Sequence, residues 1–288
     1  MRHHLLTLLL TLLVSSTMAQ TATDTTLYEV QTLDGNVYQG YLMEDTNEYI
    51  VFETKNLGRI TIQRSDIESL IEMDQTQLKE DGYWFDNPQA ARYFFQPNGY
   101  GLKKGESYYQ NIWVLWNQMS FGMSDNFSLG IGIVPTFLFA GASSPVWITP
   151  KVSIPIVEDK FNIGGGALIG TILGEQQSGF GITYGVATLG SKDYNASIGL
   201  GYGYENAVWS SNAIITASAL LRLSKKGYFI TENYFFDEVT LLSFGARFIL
   251  KKVGIDVALL VPSDTGETVF FPLLGITIPF GETPDNLK

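Results

Sequence analysis

One ten-residue stretch constrains the fold most. In Asn195 to Tyr204, "NASIGLGYGY", every second residue starting at Ala196 is apolar, and the residues between them are asparagine, serine or glycine. Successive side chains of a β-strand point to opposite faces, so this stretch predicts a strand with one apolar face and one small, polar face. The apolar face requires a non-aqueous neighbour.

The same alternation recurs along the chain. In "FSLGIGIVPTF" the odd-numbered positions from Phe127 are apolar. In "FGITYGVAT" the even-numbered positions from Phe180 to Val186 are apolar, and in "FGARFIL" the even-numbered positions from Phe244 are apolar. A soluble β-sandwich would cover its outer face with charge, but only 16% of the residues are charged. We therefore predict that the apolar face meets lipid and the small polar face lines a transmembrane antiparallel β-barrel, which is an all-β fold.

The spacing of turn signals predicts the number of strands. Short breaks such as Ser124 to Asn126 alternate with longer ones such as Gly174 to Gly179, as expected for short periplasmic turns and longer external loops. Eleven strands can be counted between Tyr108 and Phe280, and an even number would place both chain ends in the periplasm. With "ARYFFQPNGY" taken as a first strand the prediction is twelve strands, and ten is the alternative.

The amino terminus predicts export. Residues 1–19 combine Arg2, an apolar run from Leu5 to Val14 and a small-residue site ending at Ala19, which is typical of a secretory signal peptide. Both histidines lie in this segment and the chain has no cysteine, so hydrolases and metal sites built on imidazole or thiol are excluded after cleavage. We predict no enzyme, no catalytic residue, no metal site and no cofactor.

The remaining chain divides into parts of different character. After a short leader (20–26), residues 27–73 contain about five short β-runs separated by turn formers, and a polar linker (74–88) leads to the barrel (89–281) and a polar tail (282–288). Residues 24–88 carry 4 basic and 14 acidic side chains. This acidic balance, without a basic patch, excludes nucleic acid as a partner.

Five charged residues fall in the inward register of the predicted barrel. With a two-residue turn at Lys251-Lys252, Arg247 lies opposite Asp256, and we predict an interior ion pair between them. The other candidates for charges in the lumen are Lys151, Arg222 and Glu232. They fit two roles: paired side chains that fill a closed barrel, or the lining of a selective conduit.

Two resemblances add to this interpretation. The runs "RYFFQPNGYGLKKGESYYQN", "FGMSDNFSLGIG" and "LLGITIPFG" resemble uncharacterised outer-membrane β-barrel proteins of Gram-negative bacteria over residues 88–281. That resemblance implies outer-membrane lipid as the surroundings and assembly by the barrel insertion machinery, but no particular activity. The pattern "LDGNVYQGYLMEDTNEYIVF" resembles Sm-like and SH3-like modules, which usually bind partners. For residues 27–73 this implies one of two roles: an acidic spacer or docking unit, or a module that binds a defined ligand such as a periplasmic protein.

The expected function follows from these parts. The sequence favours a structural or anchoring barrel in the outer membrane that holds a periplasmic docking module. The alternative is a small passive channel for solutes with a charged lumen.

Overall fold

The computed structural model describes residues 26–54, 56–73, 77–79, 82–250, 253–263 and 269–281. The predicted signal peptide, most of the leader, the Lys251-Lys252 turn and the carboxy-terminal tail lie outside the described residues. The chain forms two units, residues 1–76 and 77–288. None of the helices among the described residues has the length and apolar character needed to cross a membrane.

The first unit is a five-stranded antiparallel sheet, as predicted, with strand order β4-β3-β2-β1-β5. Alternate residues of its strands meet in a small core formed by Val30, Ile50, Phe52 and Ile62. The strands are β1 (Leu27–Thr32), β2 (Val37–Asp45), β3 (Tyr49–Thr54), β4 (Gly58–Gln63) and β5 (Ile67–Met73).

The second unit begins with a short hairpin, β6 (Leu78–Lys79) and β7 (Gly82–Tyr83), and contains a closed antiparallel barrel of twelve strands in its described residues. The predicted count is therefore confirmed. The barrel strands are β8 (Glu106–Ile112), β9 (Trp116–Ser124), β10 (Phe127–Ile133), β11 (Pro145–Val157), β12 (Phe161–Ile172), β13 (Phe180–Gly190), β14 (Tyr194–Glu205), β15 (Val208–Ser224), β16 (Gly227–Phe235), β17 (Thr240–Leu250), β18 (Val253–Pro262) and β19 (Phe271–Gly281).

The first barrel strand is not the predicted one. "ARYFFQPNGY" forms no strand of the barrel; the twelfth strand arises because residues 106–124 fold back on themselves as β8 and β9. The turn between them contains Trp113 and Val114, both with positive φ (53° and 64°). Bulky and β-branched residues rarely adopt this conformation, so the sequence gives no turn signal there.

The apolar face points outwards, as the alternation predicts. Ile198, Leu200 and Phe248 are 65%, 50% and 47% exposed, whereas Gly199 and Arg247 in the other register are buried. This arrangement is the reverse of a soluble β-sandwich, in which the apolar register would form the core.

Strand β13 is an exception, and its predicted facing is wrong. Ile182, Tyr184 and Val186 point into the barrel, while Thr183 and Gly185 are exposed. Glycines on the neighbouring strands make room for these side chains: Gly164 pairs with Val186 on one side, and Gly199 pairs with it on the other. The glycines of β12 and β14 therefore complement bulky side chains of β13.

The two ends of the barrel differ. The short-turn end carries the connections at residues 125–126, 158–160, 191–193 and 225–226, together with the start of β8 and the end of β19, which pair through Glu106 and Gly281. The opposite, long-loop end includes residues 134–144, within which α1 (Pro135–Phe139) lies, and residues 173–179. The break at Glu205 to Ser211, which the sequence predicts as one of the longer loops, is shorter than expected, because only Asn206 and Ala207 separate β14 from β15.

Candidate functional site: the barrel lumen

A segment of the chain itself occupies part of the lumen. Residues 84–105, here called the plug, precede β8 and contain no strand apart from a single bridge between Arg92 and Pro97. The plug enters at the short-turn end, where Asn87 Nδ2 donates to the Lys192 carbonyl at 3.0 Å. It returns to the same end, where the Tyr100 hydroxyl donates to the Gly190 carbonyl at 2.6 Å.

The plug reverses direction at its tip. The Tyr93 amide donates to the Gln96 carbonyl at 2.9 Å, which closes a turn before Pro97. Proline lacks an N–H and glycine adopts turn conformations freely, so Pro97 and Gly99 suit a returning loop rather than a barrel strand. Burial raises the pKa of the Tyr100 hydroxyl to about 12, with a further contribution from Asp159.

The carboxylate of Glu232, on β16, holds the tip of the plug. Its Oε2 accepts the backbone N–H groups of Phe94, Phe95 and Gln96 at 2.7, 3.0 and 3.1 Å. Its Oε1 accepts the Tyr234 hydroxyl at 2.8 Å. Because the side chain is almost fully buried, these donors replace the water that an ionised carboxylate requires.

Arg247 and Asp256 form the predicted ion pair. They are cross-strand partners on β17 and β18, with Arg247 Nε donating to Asp256 Oδ1 at 2.6 Å and Nη2 to Oδ2 at 3.1 Å. Arg92 of the plug adds a second cation, 3.3 Å from Oδ2. Burial and the Arg247 charge lower the pKa of the Arg92 guanidinium.

Plug carbonyls accept several further hydrogen bonds from the two arginines of this cluster. Arg247 donates to the carbonyl of Gln89 at 3.3 Å and to that of Tyr93. Arg92 donates to the carbonyls of Tyr93 and Phe94 at 2.7 and 2.8 Å. The ion pair predicted from the barrel alone is thus part of a larger cluster that includes the plug.

The two other predicted charges also contact the plug. Lys151 Nζ, on β11, donates to the Ala91 carbonyl at 3.0 Å and to the Tyr100 carbonyl. Arg222, on β15, lies at the short-turn end, pairs with Asp193 at 2.7 Å and donates to the Phe85 carbonyl at 2.9 Å.

Neutral side chains complete the junction between plug and wall. The Tyr93 hydroxyl donates to Asn195 Oδ1 at 2.8 Å and lies 2.7 Å from the Ser197 hydroxyl. Gln96 bonds to Thr216 and Ser218 on β15. The polar register that begins "NASIG" therefore recognises the plug.

All five predicted lumen residues lie inside the barrel, but they are not one site. Arg247 and Asp256 are brought together, whereas Glu232, Lys151 and Arg222 each meet a different part of the plug. The sequence prediction missed Arg92, because "ARYFFQPNGY" was assigned to a strand. Among the described residues, no cluster of three or more His, Cys, Asp and Glu side chains could hold a metal ion.

A cavity of about 370 Å³ remains between the plug and the long-loop end. Its floor is the plug, through Arg92, Phe95, Gln96 and Pro97, and its walls come from most of the barrel strands. Phe236, which is 42% exposed, lies at its rim. The lumen is thus closed at one end and hollow at the other.

Comparison with known proteins gives little further information. No protein-family model matches the chain, and no curated protein matches it. Two solved structures are similar, "KdgM porin" and "KdgM porin in complex with disordered oligogalacturonate". Each is 9% identical in sequence and has a TM-score of 0.46, and each match covers 61% of this chain and 98% of the porin chain. A similarity of this size does not identify what the present barrel does.

Proposed function

We propose that the protein is an outer-membrane β-barrel that is closed by its own plug and anchors the amino-terminal β-module in the periplasm. The observation that carries the membrane assignment is the placement of charge. Apart from Glu106 and Glu205, which are the end residues of their strands, the twelve barrel strands contain five charged residues, and all five are buried: Lys151, Arg222, Glu232, Arg247 and Asp256. The barrel strands expose many large apolar side chains on their outer face, including Ile131, Ile198 and Leu274, and soluble monomers rarely expose large apolar patches, which lipid would cover.

Aromatic residues flank this apolar outer face. Phe127, Tyr194 and Phe280 are exposed near the short-turn end, and Trp209 and Phe271 near the long-loop end. Aromatic girdles at both interfaces are typical of transmembrane barrels. The two levels of exposed aromatic side chains support a membrane-spanning orientation with the strands between them in the hydrocarbon layer.

The proposed orientation follows from the connections. Periplasmic turns of such barrels are usually the short ones, so the short-turn end would face the periplasm. The plug enters at that end, which assigns the preceding residues 27–73 to the periplasm in this proposal. Assembly by the barrel insertion machinery and a periplasmic protein partner for residues 27–73 belong to the same proposal.

The anchoring role is favoured over the channel because of the plug. Three backbone N–H groups of the plug bind one buried carboxylate, and the Arg92, Arg247 and Asp256 cluster joins the plug to two further strands. Opening the lumen would take Arg92 away from Asp256 and three N–H donors away from Glu232, and the loss of partners at buried charges is costly. We therefore propose a barrel that does not conduct while the plug is in place, and we propose no enzymatic activity.

Cell fractionation tests the location. Expressed in a Gram-negative host, the full chain should be recovered in the outer-membrane fraction and should migrate differently in SDS with and without heating, because a closed barrel resists SDS until heated. Recovery in the soluble fraction, with no mobility shift, would exclude the membrane proposal.

Planar-bilayer recording tests the closed state. The purified protein should give no discrete current steps, whereas a variant with residues 89–101 replaced by a glycine-serine linker of equal length should give them. A matched control carries the same type of replacement in residues 46–48, a turn of the amino-terminal unit, and should stay silent. Steady conductance of the unmodified protein would support the channel instead.

A further inference from the structure

The cavity above the plug has an unusual lining. Its walls include six large side chains with apolar surface, Trp116, Leu168, Ile182, Tyr184, Ile214 and Phe236. Interiors of membrane barrels are usually polar, because water fills them. A water-filled cavity with this lining would expose apolar surface to water, which the hydrophobic effect opposes.

Glycines on the two strands next to β13 make room for part of this lining. A Cβ atom at Gly166 would lie 2.8 Å from the Tyr184 hydroxyl, and one at Gly201 would lie 2.9 Å from Ile182 Cδ1. Tyr184 and Ile182 of β13 therefore pack against glycines of the two neighbouring strands, and the lumen beside them stays empty. On this side of the cavity, the lining thus depends on the pairing of β13 with glycines of β12 and β14.

A cationic group lies at the edge of the same cavity. Lys151 lines it and donates two hydrogen bonds, both to carbonyls of the plug. An ammonium group has three hydrogens to donate. Among the described residues Lys151 belongs to no ion pair, unlike Arg92, Arg222 and Arg247, each of which has a carboxylate partner.

We propose that this cavity binds a medium-chain fatty acid, with the carboxylate on Lys151 and the alkyl chain against the apolar walls. The volume of about 370 Å³ is within the range of ligand pockets, roughly 300–1,000 Å³. A carboxylate would supply the anion that Lys151 lacks, and an alkyl chain would cover Ile182 and Ile214. Entry is from the long-loop end, because the plug occupies the other half of the lumen. This binding goes beyond anchoring and does not depend on it.

Equilibrium dialysis of the full chain in lipid nanodiscs tests the proposal, with dodecanoate as the probe and dodecanol as the uncharged comparison. The unmodified protein should bind dodecanoate saturably and about tenfold or more tightly than dodecanol, which corresponds to one charge-assisted hydrogen bond. Lys151→Gln should remove this preference, so that dodecanoate binds no more tightly than dodecanol.

A second pair of variants distinguishes binding in the cavity from partition of the probes into lipid. Ile182→Trp fills the cavity without touching the plug contacts of Lys151 and should abolish saturable binding of both probes. Ile198→Trp, on the outer face of β14, should bind like the unmodified protein, and heat-dependent mobility in SDS should show that all variants are folded. Saturable binding by Ile182→Trp, equal affinity for both probes, or no saturable binding to the unmodified protein would each overturn the proposal.

Discussion

At the level of single residues, the plug backbone is what makes the inward charges compatible with a closed lumen. Glu232 accepts three plug N–H groups, and Lys151, Arg222 and Arg247 each donate to plug carbonyls. Buried charges are tolerated when such partners replace water. These inward charges therefore contact the plug through its backbone.

Glu232→Leu should destabilise the barrel, because it leaves three buried N–H groups of the plug without an acceptor. We expect the free energy of unfolding to fall by about 3–5 kcal/mol, measured by urea titration of tryptophan fluorescence in vesicles. Glu232→Gln keeps one acceptor oxygen and should cost less. As a control, Glu205→Leu at the exposed end of β14 should change the value by less than about 0.5 kcal/mol. Equal effects at the two positions would contradict the role of Glu232.

At the level of elements, the packing of strand β13 against β12 and β14 depends on large side chains of β13 lying beside glycines of its neighbours. Gly166, on β12, faces the lumen, and a Cβ there would lie 2.4 Å from the Pro150 carbonyl oxygen. Gly185, on β13, is exposed on the outer face, and a Cβ there would meet nothing within 4 Å. Two glycines of adjacent strands thus have opposite tolerance for a side chain.

Gly166→Ala should lower the free energy of unfolding by about 1–3 kcal/mol, because backbone atoms cannot move away from the added methyl group. Gly185→Ala should leave it unchanged or raise it, since alanine restricts the unfolded chain. The same urea titration compares them. If Gly185→Ala destabilised as much as Gly166→Ala, the inverted facing of β13 would be wrong.

At the level of the whole molecule, two units have separate cores. The amino-terminal unit packs Val30, Ile50, Phe52 and Ile62 together, and the second unit has its own cluster, which includes Tyr93 and Phe94 of the plug. Each unit thus has the buried apolar contacts of an independent folding unit. This separation is what an anchor carrying a docking module requires.

Deletion of residues 27–73 should therefore leave the barrel intact. We expect the shortened chain to be recovered in the outer membrane and to keep its heat-dependent mobility shift in SDS. A chain ending at residue 76 should instead be recovered as a soluble periplasmic protein, because it lacks the apolar outer face. Failure of the shortened chain to form a heat-modifiable barrel would show that the two units fold together.

Much of the fold could be predicted from local patterns. Alternation with a period of two, combined with little charge, identifies the outward register of β10, β14 and β17 without any knowledge of their neighbours. The pairing of Arg247 with Asp256 also follows from sequence, because a tight turn fixes which residues face each other.

Two features could be decided only by the tertiary structure. Both registers of β13 carry apolar residues, so its facing depends on the glycines that pair with it across two strands. The aromatic run in "ARYFFQPNGY" suits a strand equally well as a plug, and its partners, such as Glu232 and Asn195, lie more than 100 residues away in the chain. Local alternation determines which side of a strand is apolar, but whether that side meets lipid or the lumen is set by pairing with residues that are distant in sequence.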